Sequence, residues 1–133
     1  MKLKCEGIEL EISPHTKVND EDWVKVSVFV RVAGFEGSTI SWLQLEDIRR
    51  FSKELRILDT NLGLEKIARL CSAEPDIDIQ LKSDKSGRID GEYHLESERR
   101  DGIPTVLSGA FNLDQSYLPS LIKNLKELIE SLE

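Results

Sequence analysis

Five carboxylates crowd one alternating stretch of this chain. Asp76 and Asp78 lie in Asp76-Ile77-Asp78-Ile79-Gln80-Leu81-Lys82; Asp90, Glu92 and Glu96 lie in Arg88-Ile89-Asp90-Gly91-Glu92-Tyr93-His94-Leu95-Glu96. Acids this close have three uses: proton transfer, oxygen ligation of a cation, or a charged face for a basic partner. His94 sits among them and could act as a base oriented by Asp76 or Glu92. The joining segment, Asp84-Lys85-Ser86-Gly87-Arg88, lacks the ligand series of a calcium loop and carries two cations. There is no GxSxG, no HExxH and no phosphate-cradling glycine loop. His15 follows Pro14 and reads as an exposed loop residue. No catalytic residue, metal ligand or cofactor is therefore assigned, and the chain is read as a non-enzyme.

Period-two alternation gives each segment one buried and one wet face, so the pair reads as a hairpin turning through Ser83-Asp84-Lys85-Ser86-Gly87. With Leu81 opposite Ile89 and Ile77 opposite Tyr93, Asp78 would face Glu92 and Gln80 would face Asp90. Like charges directly opposite destabilise a ladder, and a fold does not need them. Asp76, Asp78, Asp90, Glu92 and Glu96 are accordingly the candidate partner-binding residues. A solvated surface without a partner is the alternative.

The rest of the composition narrows the class. The chain has 133 residues and a net charge of −7, a length that suits one domain with a real core. Residues 1–66 hold 10 basic and 12 acidic groups; residues 67–133 hold 8 and 13, so the acidity lies in the second half. A nucleic-acid binder normally shows a basic stripe, so nucleic acid is not the expected partner. No apolar run approaches the ~20 residues that span a bilayer, and no secretory signal precedes Glu6. Cys5 and Cys71 have no metal spacing and read as reduced thiols of a cytoplasmic protein.

Seven strands and two helices must position the acids. Residues 2–12 read as one strand with a bulge near Gly7. Trp23 to Val32 reads as the clearest strand, its five valines on one side. Gly34-Phe35-Glu36-Gly37 leads to a third strand, Ser38 to Leu43. Leu45, Ile48, Phe51, Leu55 and Leu58 recur at helical spacing and predict a helix over 45–61. Strands are expected over 64–72, in the two acidic segments and over 105–113, with a turn at Glu98-Arg99-Arg100-Asp101-Gly102. Leu118, Leu121, Ile122, Leu125, Leu128, Ile129 and Leu132 form one stripe of a last helix entered through Asp114 to Pro119. The expected fold is α+β, in the order βββ-α-ββββ-α. It is a single, mainly antiparallel sheet of about seven strands with both helices on one face. Trp23 and Trp42 are expected to pack rather than stack on a ligand.

Several segments, taken in order, resemble the WapI-type immunity proteins of bacterial polymorphic toxin systems. They are Trp23 with its valine strand, Gly34-Phe35-Glu36-Gly37, Leu45-Glu46-Asp47-Ile48-Arg49-Arg50-Phe51, Glu74-Pro75, Asp84 with Gly87, and Asp114-Gln115-Ser116-Tyr117-Leu118. The resemblance implies a small cytoplasmic protein that binds and neutralises a cognate toxin domain, a nuclease being the expected class. It supplies no binding residues of its own. Two other readings remain open. One is a small-molecule or enzymatic domain with a pocket near His94; the other is an adaptor subunit that pairs through an open sheet face or edge.

Overall fold

Trp23–Val32 alternates without a break, and a computed structural model of the protein makes it one ten-residue strand. The structure describes residues 1–74, 76–98 and 101–133. Pro75, in a segment matched by the resemblance, and Arg99-Arg100, in an expected turn, lie outside the described residues. Eight strands, two helices and one short 3₁₀ turn follow in the order β1 (Lys2–Cys5), β2 (Ile8–Pro14), β3 (Trp23–Val32), β4 (Phe35–Gln44), α1 (Leu45–Thr60), β5 (Ile67–Cys71), β6 (Ile77–Ser83), β7 (Ile89–Ser97), β8 (Thr105–Leu113) and α2 (Leu118–Leu132).

The expected single sheet is corrected to two four-stranded sheets, β1-β2-β3-β4 and β5-β6-β7-β8, antiparallel throughout. Each is a meander followed by a helix, so the chain repeats one topology, ββββα, twice. The additional strand comes from Gly7. At φ +85° it supports a tight turn, not a bulge, and Cys5 then pairs with Ile8. The α+β class and the two helices stand as expected.

Both sheets and both helices close on one core. β2 gives Leu10 and Ile12, β3 gives Val24, Val26, Val28 and Val30, and sheet two gives Leu70, Ile77, Ile79, Leu81 and Ile89. Val32, the fifth valine of the strand, is only half-buried. α1 begins on a reciprocal cap in which the Gln44 N–H donates to Asp47 Oδ2 at 3.1 Å, and it buries Leu45, Ile48, Phe51, Leu55 and Leu58. The Asp114 carboxylate accepts from the Ser116 N–H at 2.8 Å and starts the short turn that leads into α2. From α2, Leu118, Leu121, Leu125, Leu128 and Leu132 are buried. The Arg49–Glu133 ion pair, 2.5 Å, ties the outer faces of the two helices. On the inner face of sheet two, Tyr93 lies opposite Gly109 and Phe111 opposite Gly91. A methyl group at Gly91 would come within 2.3 Å of the Phe111 ring, so these glycines are places the two rings occupy.

The acidic hairpin has a register two residues from the expected one. Asp84 pairs with Arg88 through an Asp84 N–H to Arg88 carbonyl bond of 2.9 Å, and the Gly87 N–H donates to the Asp84 carbonyl at 3.1 Å. With Gly87 at φ +85°, this is a three-residue loop ending in a left-handed glycine. Ile77 therefore meets Leu95, Asp78 meets His94, Gln80 meets Glu92 and Lys82 meets Asp90. A shift of two leaves every side chain on its expected face and changes only its opposite number. The facing like charges do not exist.

Two outcomes test these contacts. Leu125→Ala removes a fully buried side chain between the helices and the sheets; it should cost about 2–5 kcal/mol, read as a lower urea midpoint at unchanged slope. Asp84 accepts from the Ser86 hydroxyl (2.6 Å), the Ser86 N–H (2.9 Å) and the Arg88 N–H (2.9 Å). The Ser86 hydroxyl first, then the backbone donors, hold its carboxyl below the usual range. A depressed folded-state pKa means the turn's stabilisation is present above the unfolded pKa and is lost as pH falls through the folded one. Carboxyl NMR titration should place the Asp84 midpoint below the ordinary aspartate value of about 3.9. The amides of 84–88 should follow the same midpoint, and a midpoint at the ordinary value would contradict the hydrogen bonding described.

Candidate protein-binding surface

The outer face of sheet two carries the polar positions of its strands. Asp78, Asp90, Glu92 and Glu96 all lie there, as period two requires. Three of the four have partners. Arg69 on β5 grips Asp78 in a fork, Nε to Oδ1 at 2.9 Å and Nη2 to Oδ2 at 2.7 Å. These bonds, with the attraction of the carboxylate, push the Arg69 guanidinium's pKa further up. Arg88 Nε lies 3.3 Å from Asp90 Oδ1, and His94 Nε2 lies 2.9 Å from Glu96 Oε1. Glu92 is exposed between Gln80 and Ala110.

Asp76 is placed differently. Its Oδ2 accepts from the Ser41 hydroxyl on β4 at 2.9 Å, while the Thr39 hydroxyl donates to the Glu96 carbonyl at 3.1 Å. These two bonds stitch sheet one to sheet two. The structure thus puts four of the five candidate acids on one open face and the fifth in the seam.

A shallow depression around His94 is lined by Asp78, Gln80, Glu92, Ser108 and their neighbours. His94 bonds Glu96, whereas of the two carboxylates expected to orient it Asp76 accepts from Ser41 and Glu92 lies opposite Gln80. Among the described residues no hydroxyl is hydrogen-bonded to the His94 ring. No group of three or more metal-ligating side chains gathers among the described residues. Cys5 and Cys71 are separate free thiols. The Ser27 hydroxyl is the partner of the exposed His15 ring.

The larger surprise is sheet one. Along β4 the inward positions are Gly37, Thr39, Ser41 and Leu43, while Ile40 and Trp42 point outward. Phe35, Ile40 and Trp42 are 67%, 54% and 48% exposed. Trp42 lies on the outer face of the sheet, about half exposed, and Trp23 is half-buried. The outward placement follows from period two, since Thr39, Ser41 and Leu43 take the inward positions; at Gly37 a Cβ would stand 2.9 Å from the end of the Leu107 side chain of β8. Beside the apolar residues on the outer face, the Arg31 guanidinium sits 5.4 Å from the centroid of the Phe29 ring. It also pairs with Glu36 at 3.0 Å. The signal was present in the sequence as an inverted alternation, with bulky residues where small polar ones would normally face water.

A groove runs between β4 and the end of sheet two, lined by Ser38, Thr39, Ile40, Glu74, Asp76, Glu96, Ser97 and Glu98, with a volume of about 620 Å³. It combines exposed apolar side chains with carboxylates, the usual makings of a protein interface with an apolar centre and a charged rim. No helix among the described residues is long and apolar enough to cross a membrane.

No curated protein and no solved structure matches the chain. The model of the immunity protein WapI-like family matches residues 2–133. That span takes in both ββββα halves and every surface described above, and the chain belongs to the WapI-like immunity protein family.

Proposed function

We propose that this chain neutralises its toxin by stoichiometric binding, without turning over a substrate, and that the toxin domain is basic and acts on nucleic acid in the cytoplasm. Family membership over residues 2–133 carries the reading, because an immunity protein acts on a toxin. The net charge of −7 supports the finer part. A nuclease must attract phosphate and tends to be basic, so an acidic inhibitor is steered onto it and competes with its substrate. Asp76, Asp78, Asp90, Glu92 and Glu96 are proposed as contributors to that field. Asp90 and Glu92 are the most accessible of them, and Asp78 acts with its charge offset by Arg69.

The test uses the variable C-terminal domain of a secreted protein encoded beside this chain's gene. Co-expression should give a one-to-one complex and rescue growth. In Asp90→Lys with Glu92→Lys, association with that domain should slow on the order of tenfold at low salt and depend less on added salt. Stability should fall by about 1 kcal/mol at most, since both positions are exposed but a lysine at position 90 faces Lys82 and loses the Arg88 pair. Stopped-flow association and urea unfolding on the same variant check both. An unchanged rate would remove these acids from the steering field, and failure to form any complex would remove the immunity reading.

A further inference from the structure

β4 is an edge strand of sheet one, and its outer edge is unpaired among the described residues. Its hydrogen-bond phase follows from one contact. The Leu45 N–H donates to the Asp22 carbonyl at 2.9 Å, two positions beyond the Val24–Leu43 pair. Antiparallel ladders alternate, so Leu43, Ser41 and Thr39 exchange bonds with β3, whereas Trp42, Ile40 and Ser38 aim their N–H and C=O groups outward. Ser38 and Ile40 line the groove described above. Its opposite wall carries Glu74, Asp76, Glu96 and Glu98; Asp76 is held by Ser41 and Glu96 by His94, and no lysine or arginine is among the described residues that line it.

The other edges are guarded or bare. β1 is four residues long and carries Lys2 and Lys4, and β5 is packed against α1. The β8 edge is long, but Val106 is its one large exposed apolar residue, and of the two acids that share a depression with Ser108 and Ala110, Asp78 is already gripped by Arg69. Only β4 combines open backbone groups, exposed Ile40 and Trp42, and a carboxylate wall.

We propose that the free edge of β4 seats an extended, cationic segment of the toxin domain, which joins sheet one as a fifth strand. This rests on the immunity reading above. The added strand takes main-chain bonds from Ser38, Ile40 and Trp42. Its side chains alternate: one set packs beside Ile40 and Trp42, and the other, lysines or arginines, reaches the carboxylates of the groove.

Amide hydrogen exchange on the wild-type chain tests this, with and without the neighbouring gene's toxin domain. In the complex, the amides of Ser38, Ile40 and Trp42 should exchange on the order of tenfold more slowly or better, with those of Val106, Ser108 and Ala110 unchanged. Ile40→Pro deletes one outward N–H and spares the β3 ladder. It should weaken binding on the order of tenfold, while Ala110→Pro on the β8 edge should not. Glu74→Lys with Glu98→Lys should weaken it comparably. Should Ile40→Pro fail to fold, the wild-type exchange decides alone. A complex that forms with exchange at 38, 40 and 42 unchanged overturns the edge seat and leaves the immunity reading standing. Protection of those amides by raising the chain's own concentration, without toxin, assigns the edge to a second copy and overturns the proposal. No complex at all overturns the immunity reading, and the edge seat with it.

Discussion

The seam between the two sheets is the constraint on which the rest depends. Each sheet buries one face in a shared apolar core, and at its margin β4 bonds to the end of β7 and to Asp76 at the entry to β6. Small residues stand at this approach: Gly37 lies against the Leu107 side chain, and Thr39 and Ser41 present hydroxyls that satisfy the Glu96 carbonyl and the Asp76 carboxylate. A buried hydroxyl or carboxylate without a partner would cost several kcal/mol, so the two bonds make the seam specific as well as tight. The bulky residues of β4 are left on the far side, where Ile40 and Trp42 meet solvent.

How much of this the sequence discloses depends on what periodicity reports. It reports faces. The strands Trp23–Val32 and Thr105–Leu113 and the core faces of both helices stand where their spacing puts them. It does not report partners. The meander of β1 to β4 and that of β5 to β8 read as a continuous series of strands, and nothing local says that β4 declines to pair with the second set. Nor does it fix register. The Asp84 loop could be counted as five residues or as three between its closing pair; the left-handed Gly87 and the Asp84 carboxylate select the shorter count. That choice replaces Asp78 opposite Glu92 by Asp78 opposite His94. β4 hid for another reason: its alternation is inverted, and hydrophobicity alone sends Ile40 and Trp42 the wrong way.

Electrostatics shows the same gap between composition and arrangement. The acidic balance is real, yet on the outer face of sheet two Arg69, Arg88 and His94 each stand against a carboxylate. Exposed pairs of this kind add little stability, and they lower the local field that a partner would feel. Field and contact are therefore separable. The long-range attraction comes from the whole chain's net charge, while a close-range contact needs carboxylates without a neighbouring cation. In the groove wall beside β4, Glu96 is already held by His94 and Asp76 by Ser41, which leaves Glu74 and Glu98, and no lysine or arginine lines it among the described residues.

An open apolar edge is also a hazard to the protein that carries it, because it invites a second copy. The composition of β4 bears on this. Phe35 to Gln44 contains no lysine or arginine and one acid, Glu36. Two β4 edges brought together would set two carboxylate walls near each other with no cation on either strand to offset them, so self-pairing is opposed by the same groups that would favour a cationic strand. On the proposed edge seat, discrimination therefore needs no separate device: the groove repels the commonest wrong partner, another copy of the chain, and attracts a segment rich in lysine or arginine. It also explains why an edge this exposed lacks the lysines that protect β1. A lysine at Ser38 or Ile40 would blunt aggregation equally well, but it would neutralise the wall that gives the edge its preference.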